Sequence, residues 1–352
     1  MAEIRPFRAL RYETGSLERL VAPPYDVISD AERREYLARD PHNIVHLTLP
    51  DSEDEAARLL AEWRADGTLV ESEPSYWWLE QRYVGPDGVA RTREGFVAAL
   101  HLEPYAERIV LPHERTHAGP KEGRLRLLRA TRTQLEPIFL LWDGSIAIDG
   151  LGGPDLEAEV GGVASRLWRL DAEFGDALTE ELRDAQLLIA DGHHRYETAL
   201  AFHDEDGSEA SAWMMVVIVP TDQEGLTIFP THRVAESIDG VRGTPIDAPG
   251  DELPGLVLYR DGGYELLEAD GLDPEVVDRL GPQGVTYTPS AAEAVAAVDR
   301  GDAQGAFLLR PTQIDDVWEV ARRGEVMPQK STFFYPKLTS GLLLYSLERA
   351  SA

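Results

Sequence analysis

The stretch Leu187-Leu188-Ile189-Ala190-Asp191-Gly192-His193-His194-Arg195-Tyr196-Glu197 decides how the rest of the chain is read. Its apolar start, 187–190, has the length and character of a short buried strand. Gly192 permits a tight turn and a close backbone approach, and a helix over 196–204 is expected to follow. Amides at a helix N-terminus have no intrahelical acceptor, and the helix dipole adds positive potential there, so such a turn attracts anions. His193, His194 and Arg195 add side-chain donors at that point, and an arginine fork grips a phosphate through two parallel bonds. Cationic side chains at a helix start oppose the dipole, so an anion or a carboxylate is needed to balance them. Asp191 is placed to hold a magnesium ion against that phosphate; its competing role is to cap the helix.

Outward from this turn, strand and helix signals alternate. Pro23 and Pro24 mark 21–29 as a loop, and Ser29 is a natural N-cap for a helix over 30–39. A strand is expected at 43–49 and an amphipathic helix at 53–66. Strands 76–84 and 89–102 flank Gly85-Pro86-Asp87-Gly88 as a hairpin, and a helix over 125–135 leads into strand 138–142. After strands 213–219 and 226–229, the acidic stretch 236–252 reads as a boundary. Beyond it come a hairpin (256–259 with 264–269), helices 274–280, 291–299 and 314–322, and strands 285–288 and 306–309. No long strand–helix–strand series occurs, so the fold class is mixed α/β (α+β). Three divisions are expected: a core over 1–240, a smaller α/β domain over 241–326, and a C-terminal segment, 327–352, that returns to the site.

Composition narrows the function. At 352 residues and 43% hydrophobic the chain can bury a large core. The apolar run 213–219 is far too short to cross a bilayer, and Glu3, Arg5 and Arg8 do not suit a secretory leader, so no membrane partner is expected and the cytoplasm is the expected compartment. The absence of cysteine excludes disulfides, thiolate zinc sites and cysteine nucleophiles. A net charge of -29 repels phosphate backbones, and without a basic stripe no nucleic-acid partner is expected. Of the 34 basic residues only Lys121, Lys330 and Lys337 are lysines. Lysine offers a compact point charge that arginine cannot replace, which draws attention to Pro328-Gln329-Lys330-Ser331-Thr332-Phe333-Phe334-Tyr335-Pro336-Lys337.

Other constellations compete for the chemistry. His113-Glu114-Arg115-Thr116-His117 has the spacing of a zinc protease helix, but Pro112 before it and Gly119-Pro120 after it leave barely one helical turn, so no zinc is expected. Glu114 and Thr116 are then candidates to line a polar pocket. Glu114 is either a base toward a substrate hydroxyl or the partner of an arginine such as Arg124. Tyr25 and Asp26 follow two stiffening prolines; Asp26 is the rival base or metal ligand, or else a turn cap. His232 and Arg233 form either a second anion clamp or a salt-bridge node. Lys330, Ser331, Thr332 and Lys337 offer donors to phosphate beside aromatic rings able to stack on a base, or the segment plugs the core.

The Asp-Gly-His-His-Arg turn between strand and helix resembles the ligand turn of the ParB/sulfiredoxin superfamily, including its free serine kinase branch. Across most of its length the chain resembles the domain-of-unknown-function 1015 family, through Ala22-Pro23-Pro24-Tyr25-Asp26-Val27-Ile28-Ser29, Asn43-Ile44-Val45, Pro112-His113-Glu114-Arg115-Thr116, the Asp191 turn, Pro230-Thr231-His232-Arg233 and 327–337. The resemblance implies a ParB/sulfiredoxin-like core with a pocket for nucleotide phosphates. There Gly192, His193, His194 and Arg195 would hold phosphate oxygens, and ATP or ADP with Mg2+ would serve transfer to a small hydroxyl compound. The candidate residues are then Glu114, Asp26, Asp191 and His194 for catalysis, and Thr116, Lys330, Ser331, Thr332 and Lys337 with the turn for the nucleotide. Tyr25, Asn43, Arg124, His232 and Arg233 are the candidates for substrate. A nucleotide or metabolite sensor and a phosphoester hydrolase remain open alternatives on the same pocket.

Overall fold

A computed structural model describes residues 1–348 except 14–15, 115–117, 149, 171 and 251, and gives only the backbone of 118–120 and 172–173. The fold is mixed α/β. Contacts divide the chain into two units: residues 1–112, 116–226 and 336–352 form one, and 113–115 with 227–335 form the other. Among the described residues no helix is long and apolar enough to cross a membrane.

The first unit is built on a nine-stranded sheet. Its central strand, Trp213–Pro220, is buried at every position. It runs parallel to Ile138–Trp142 and antiparallel to Ala90–His101, and a strand covered on both faces needs such an unbroken apolar run. Tyr76–Val84, Val163–Leu170 and Leu156–Val160 extend the sheet on one side, and Leu187–Asp191 and Val110–Leu111 on the other. One face packs Phe96, Ile138, Leu140, Ile189 and Ile218 against Leu178 and Leu182 of helix Ala172–Leu182 and Tyr196 and Ala199 of helix His193–Asp206. Burying one such large apolar side chain contributes about 1.5–3 kcal/mol.

A smaller four-stranded sheet draws the chain ends together, in the order Leu69–Glu71, Ala9–Tyr12, Leu344–Ser346, Thr133–Gln134. Because Leu344–Ser346 is sandwiched there, residues 336–343 are carried back to the first unit. The Ala22 and Ser340 backbones pair through two hydrogen bonds, of 3.2 and 2.8 Å, and this fixes the proline loop beside them.

The second unit has a six-stranded antiparallel sheet, ordered Thr244–Ile246, Gly263–Leu266, Val257–Arg260, Gly305–Leu308, His232–Ser237, Gln283–Thr288. Its helices are Asp273–Leu280, Ala291–Asp299 and Ile314–Arg322. Thr227–Phe229 pairs separately with Phe333–Tyr335.

Most elements follow the sequence signals, including the Ser29 capping box that starts helix Asp30–Arg39. Two expectations are corrected. The segment 43–49 is not a strand: Asn43 Oδ1 accepts the Val45 amide at 3.0 Å, which turns the chain into helix Val45–Thr48. Nor do Gly119 and Pro120 break structure, since helix Ala118–Thr131 includes both; a proline in the first turn removes only an amide that has no intrahelical partner.

The Asp191 turn depends on two local devices. The pairing of Leu187–Asp191 with Ile138–Trp142 slips between Ile189 and Asp191, so Ile189 lies opposite Leu140 and Asp191 opposite Phe139. Residues directly opposite share a face. The bulge therefore turns Asp191 off the core face of Ile189 and onto that of Phe139. Gly192 then adopts φ +100°, and a Cβ there would lie 2.6 Å from Ile138 Cγ2. We expect Gly192→Ala to cost about 1–3 kcal/mol, since it meets both a disfavoured backbone region and this clash. Urea denaturation measures it; an unchanged midpoint would mean that the turn tolerates a side chain.

Candidate functional site

Helix His193–Asp206 starts directly after Gly192, with the Tyr196 amide bonding Gly192 O at 3.0 Å. His193, His194 and Arg195 thus occupy its first turn, whose amides lack intrahelical acceptors. His193 is buried and His194 half-buried. Arg195 folds back along the helix, so that Nη2 donates to Asp191 Oδ2 at 2.5 Å and Nη1 donates to Pro137 O. Lys337 Nζ donates to the other Asp191 oxygen, Oδ1. The charge balance required at this helix start is met by Asp191, held between the helix's own arginine and a lysine from the returning C-terminal segment.

Burial alone would raise the Asp191 pKa, but the Lys337 ammonium and the Arg195 guanidinium outweigh it and hold the carboxyl well below the usual range. Arg195 responds reciprocally: burial would lower its pKa, yet Asp191 and Glu136 raise it. Its terminal nitrogens are directed to Pro137 O and Asp191, so it does not present the open fork expected from sequence. Nor does Asp191 fit magnesium, because each of its oxygens already faces a cation. Among the described residues no group of three or more His, Asp or Glu is arranged to hold a metal.

Behind Arg195 lies a second carboxylate, Glu136, which is 6% exposed. Its Oε1 accepts the Tyr25 amide at 3.1 Å and the Ser340 hydroxyl at 2.5 Å. Burial raises its pKa, and Arg195 and the Ser340 bond oppose that rise. Tyr25 lies under Arg124, whose guanidinium carbon is 4.1 Å from the ring centroid, while Arg124 Nη1 donates to Thr48 O at 2.8 Å. Asp26, exposed on the 3-10 turn Tyr25–Val27, adds negative charge near Arg195 and Glu136. Arg124, Glu136 and Arg195 line a cavity of ≈ 60 Å³ together with Leu127, Leu135, Thr198 and Met214. This is room for roughly four waters.

The structure therefore gathers Tyr25, Asp26, Arg124, the Asp191–Arg195 turn and Lys337 in the first unit. Glu136 and Ser340 were missed from sequence; the available signal was a lone carboxylate interrupting the apolar run Leu135-Glu136-Pro137-Ile138-Phe139. Asn43 is corrected from substrate contact to brace. It is 0% exposed, and its amide nitrogen donates to Arg19 O at 2.7 Å and Val21 O at 3.3 Å.

Glu114, His232, Arg233, Lys330, Ser331 and Thr332 belong to the second unit. Thr116 and His117 lie outside the described residues. Glu114 forms an isolated bridge with Met327. His113 Nε2 is 2.9 Å from Thr332 Oγ1. The Ser331 hydroxyl donates to Pro328 O at 2.6 Å. His232 Nδ1 accepts the Leu309 amide at 3.1 Å, and burial lowers its pKa to about 4. Lys330 is exposed, with φ 58°.

Asp191 supplies the next prediction. Breaking a buried ion pair leaves charge uncompensated, so Asp191→Asn should cost about 3–5 kcal/mol at neutral pH. A depressed folded-state pKa gives stability that is complete above the unfolded value, about 4, and is lost as pH falls toward the depressed value. Chemical denaturation across that acid range should therefore show a shallower pH dependence in Asp191→Asn than in wild type. Parallel curves would remove Asp191 from the ion cluster.

Three comparisons bear on kinship. A curated relative, Erythronolide synthase EryA2 of Saccharopolyspora erythraea, is 25% identical over 166 residues, 46% of this chain and 4% of that protein. The chain thus spans only a small fraction of that relative's length. Among solved structures, a free serine kinase variant in complex with AMP is 16% identical, with a TM-score of 0.40, over 66% of this chain and 89% of that one. SbnI with a C-terminal truncation, from Staphylococcus aureus, is 14% identical, with a TM-score of 0.43, over 71% and 90%. A conserved hypothetical protein from Pyrococcus furiosus is 17% identical, with a TM-score of 0.37, over 66% and 92%. Residues 4–245 match the family described as "Protein of unknown function (DUF1015)", and the chain belongs to that family.

Proposed function

We propose that the centre around Asp191 binds the phosphates of a nucleotide, and that the protein is a nucleotide-dependent phosphotransferase acting on a small hydroxylated metabolite. The observation that carries this reading is the convergence of Arg195 and Lys337 on Asp191 at a helix N-terminus, with Arg124 lining the same cavity as Arg195, in a chain of net charge -29. Phosphoryl transfer asks a protein mainly for positioning and charge neutralisation, and cations gathered at a helix start provide both.

The residues divide the work. Asp191 is a poor base, since both oxygens are paired and its pKa is depressed. Its role is to store Lys337 and Arg195 in place. Glu136 holds the Tyr25 loop and the Ser340 segment. Asp26, exposed at that loop, is the carboxylate open to an acceptor hydroxyl, and the ≈ 60 Å³ cavity beside Arg195 suits an acceptor of a few atoms. Lys337 is the side chain whose transfer from Asp191 to a phosphate oxygen would couple binding to the C-terminal segment. No step is assigned to magnesium, because the Asp191 oxygens are occupied. The occupied Asp191 also suits a sensor, in which Lys337 changes partner and no chemistry follows.

The test separates these readings. Protein incubated with ATP or ADP and a panel of small alcohols, with and without magnesium, is followed by phosphorus NMR. A phosphorylated acceptor is the expected result, and inorganic phosphate alone indicates a hydrolase. Ligand a hundredfold above its Kd stabilises the fold by about 2.7 kcal/mol. That increment should appear in wild type and vanish in Arg195→Ala when each is compared with its own ligand-free protein. Stabilisation without any product leaves the sensor, and no stabilisation by any nucleotide ends the phosphate-site reading.

A further inference from the structure

Strand Ala90–His101 places a guanidinium in the interior of the first unit. Arg93 is 1% exposed. Its Nη2 donates to Gln81 Oε1 and, at 2.7 Å, to Pro336 O. The guanidinium carbon lies 4.5 Å from the centroid of Phe139, the residue opposite Asp191 across the bulge. Nη1 has no hydrogen-bond partner, and among the described residues no carboxylate lies within ion-pair distance of Arg93.

A buried cation in this condition is costly: a charge out of water needs a counter-charge, and an unpaired donor bears its full desolvation penalty. Burial lowers the Arg93 pKa to about 10, which still leaves it charged at neutral pH. Another buried guanidinium with unpaired nitrogens, Arg233, has Asp278 Oδ1 at 3.7 Å; Arg93 has the Tyr83 phenol and the more distant field of Asp191, already shared by Arg195 and Lys337. Arg93 thus adds a cation with no ion-pair partner among the described residues to Arg195 and Lys337, which already share Asp191.

We infer that Arg93 is an anion-binding residue of this centre, and that its Nη1 and Lys337 Nζ take the oxygens of one phosphate-class anion. The inference rests on the phosphate-site reading and adds to it a residue from the middle of the sheet. Access follows from the contacts. Pro336 O accepts from Arg93 Nη2 and the adjacent Lys337 sits on Asp191, so release of Lys337 from Asp191 loosens the segment that contacts this guanidinium. The anion supplies a counter-charge to Arg93, and Asp191 keeps Arg195.

The probe is inorganic pyrophosphate, with orthophosphate in parallel, titrated by calorimetry into wild type, Arg93→Lys and Arg93→Met at fixed ionic strength. Arg93→Lys retains a charge able to meet Gln81 and Pro336 O but lacks the second donor arm. We expect its pyrophosphate affinity to fall about tenfold or more, as loss of a charged hydrogen bond implies, and Arg93→Met to lose binding. If the Met variant does not fold, the Lys variant decides. Nitrogen NMR of the arginine side chains in wild type gives a readout that a structural role would not move: the Arg93 resonances should shift on adding pyrophosphate. Wild-type affinity in both variants, or unmoved Arg93 resonances in a protein that binds pyrophosphate, overturns the inference and leaves the phosphate site standing. Absence of binding in wild type overturns both.

Discussion

A carboxylate that is buried must be matched by cations, and the position of Asp191 sets the terms for much of the first unit. Its two oxygens face Arg195 and Lys337 separately, so the helix start and the C-terminal segment are tied to the same side chain. Each of these charges alone would be expensive to bury, and their pairing offsets that cost. The bulge at Ala190 and the left-handed Gly192 follow from this demand. A regular strand would have left Asp191 on the face of Ile189, among apolar side chains, and a side chain at 192 would have met Ile138.

What could be read from sequence divides along the range of the interactions. Strand Ile138–Trp142, strand Trp213–Pro220 and helix Ala291–Asp299 announce themselves locally, by unbroken apolar runs or by a Ser290 cap. The Asp191 turn was also legible, because glycine and clustered cations at a helix start have few physical explanations. The segment 43–49 was misread because the deciding bond, from Val45 N to the Asn43 side chain, spans two residues and competes with an apolar pattern that suits a strand equally well.

The details of the site were less legible, since they depend on contacts distant in sequence. Lys337 reaches Asp191 across 146 positions, and Ser340 reaches Glu136 across 204. Lysine scarcity pointed to Lys337 without naming its partner. Glu136 looked like an interruption of a strand signal rather than the acceptor that fixes the Tyr25 loop. Arg195 was recognised as important, but its commitment to Pro137 O and Asp191 depends on the exact entry of the helix. The same scarcity drew attention to Lys330, which belongs to a different unit from Lys337.

The choice of lysine at 337 acquires a physical meaning in this setting. Arg195 is held at two points, so its planar fork can change partner only by giving up both. Lys337 is held through one Nζ atom on a flexible four-carbon stem, and an ammonium can pass from one oxygen to another by rotating that stem. A centre that must release Asp191 and accept an external oxygen therefore needs both kinds of cation, one fixed and one exchangeable. The acidic surface sharpens the distinction, because a net charge of -29 opposes any anion at long range. Only cations concentrated at one place, with water largely excluded, can reverse that opposition at contact distance.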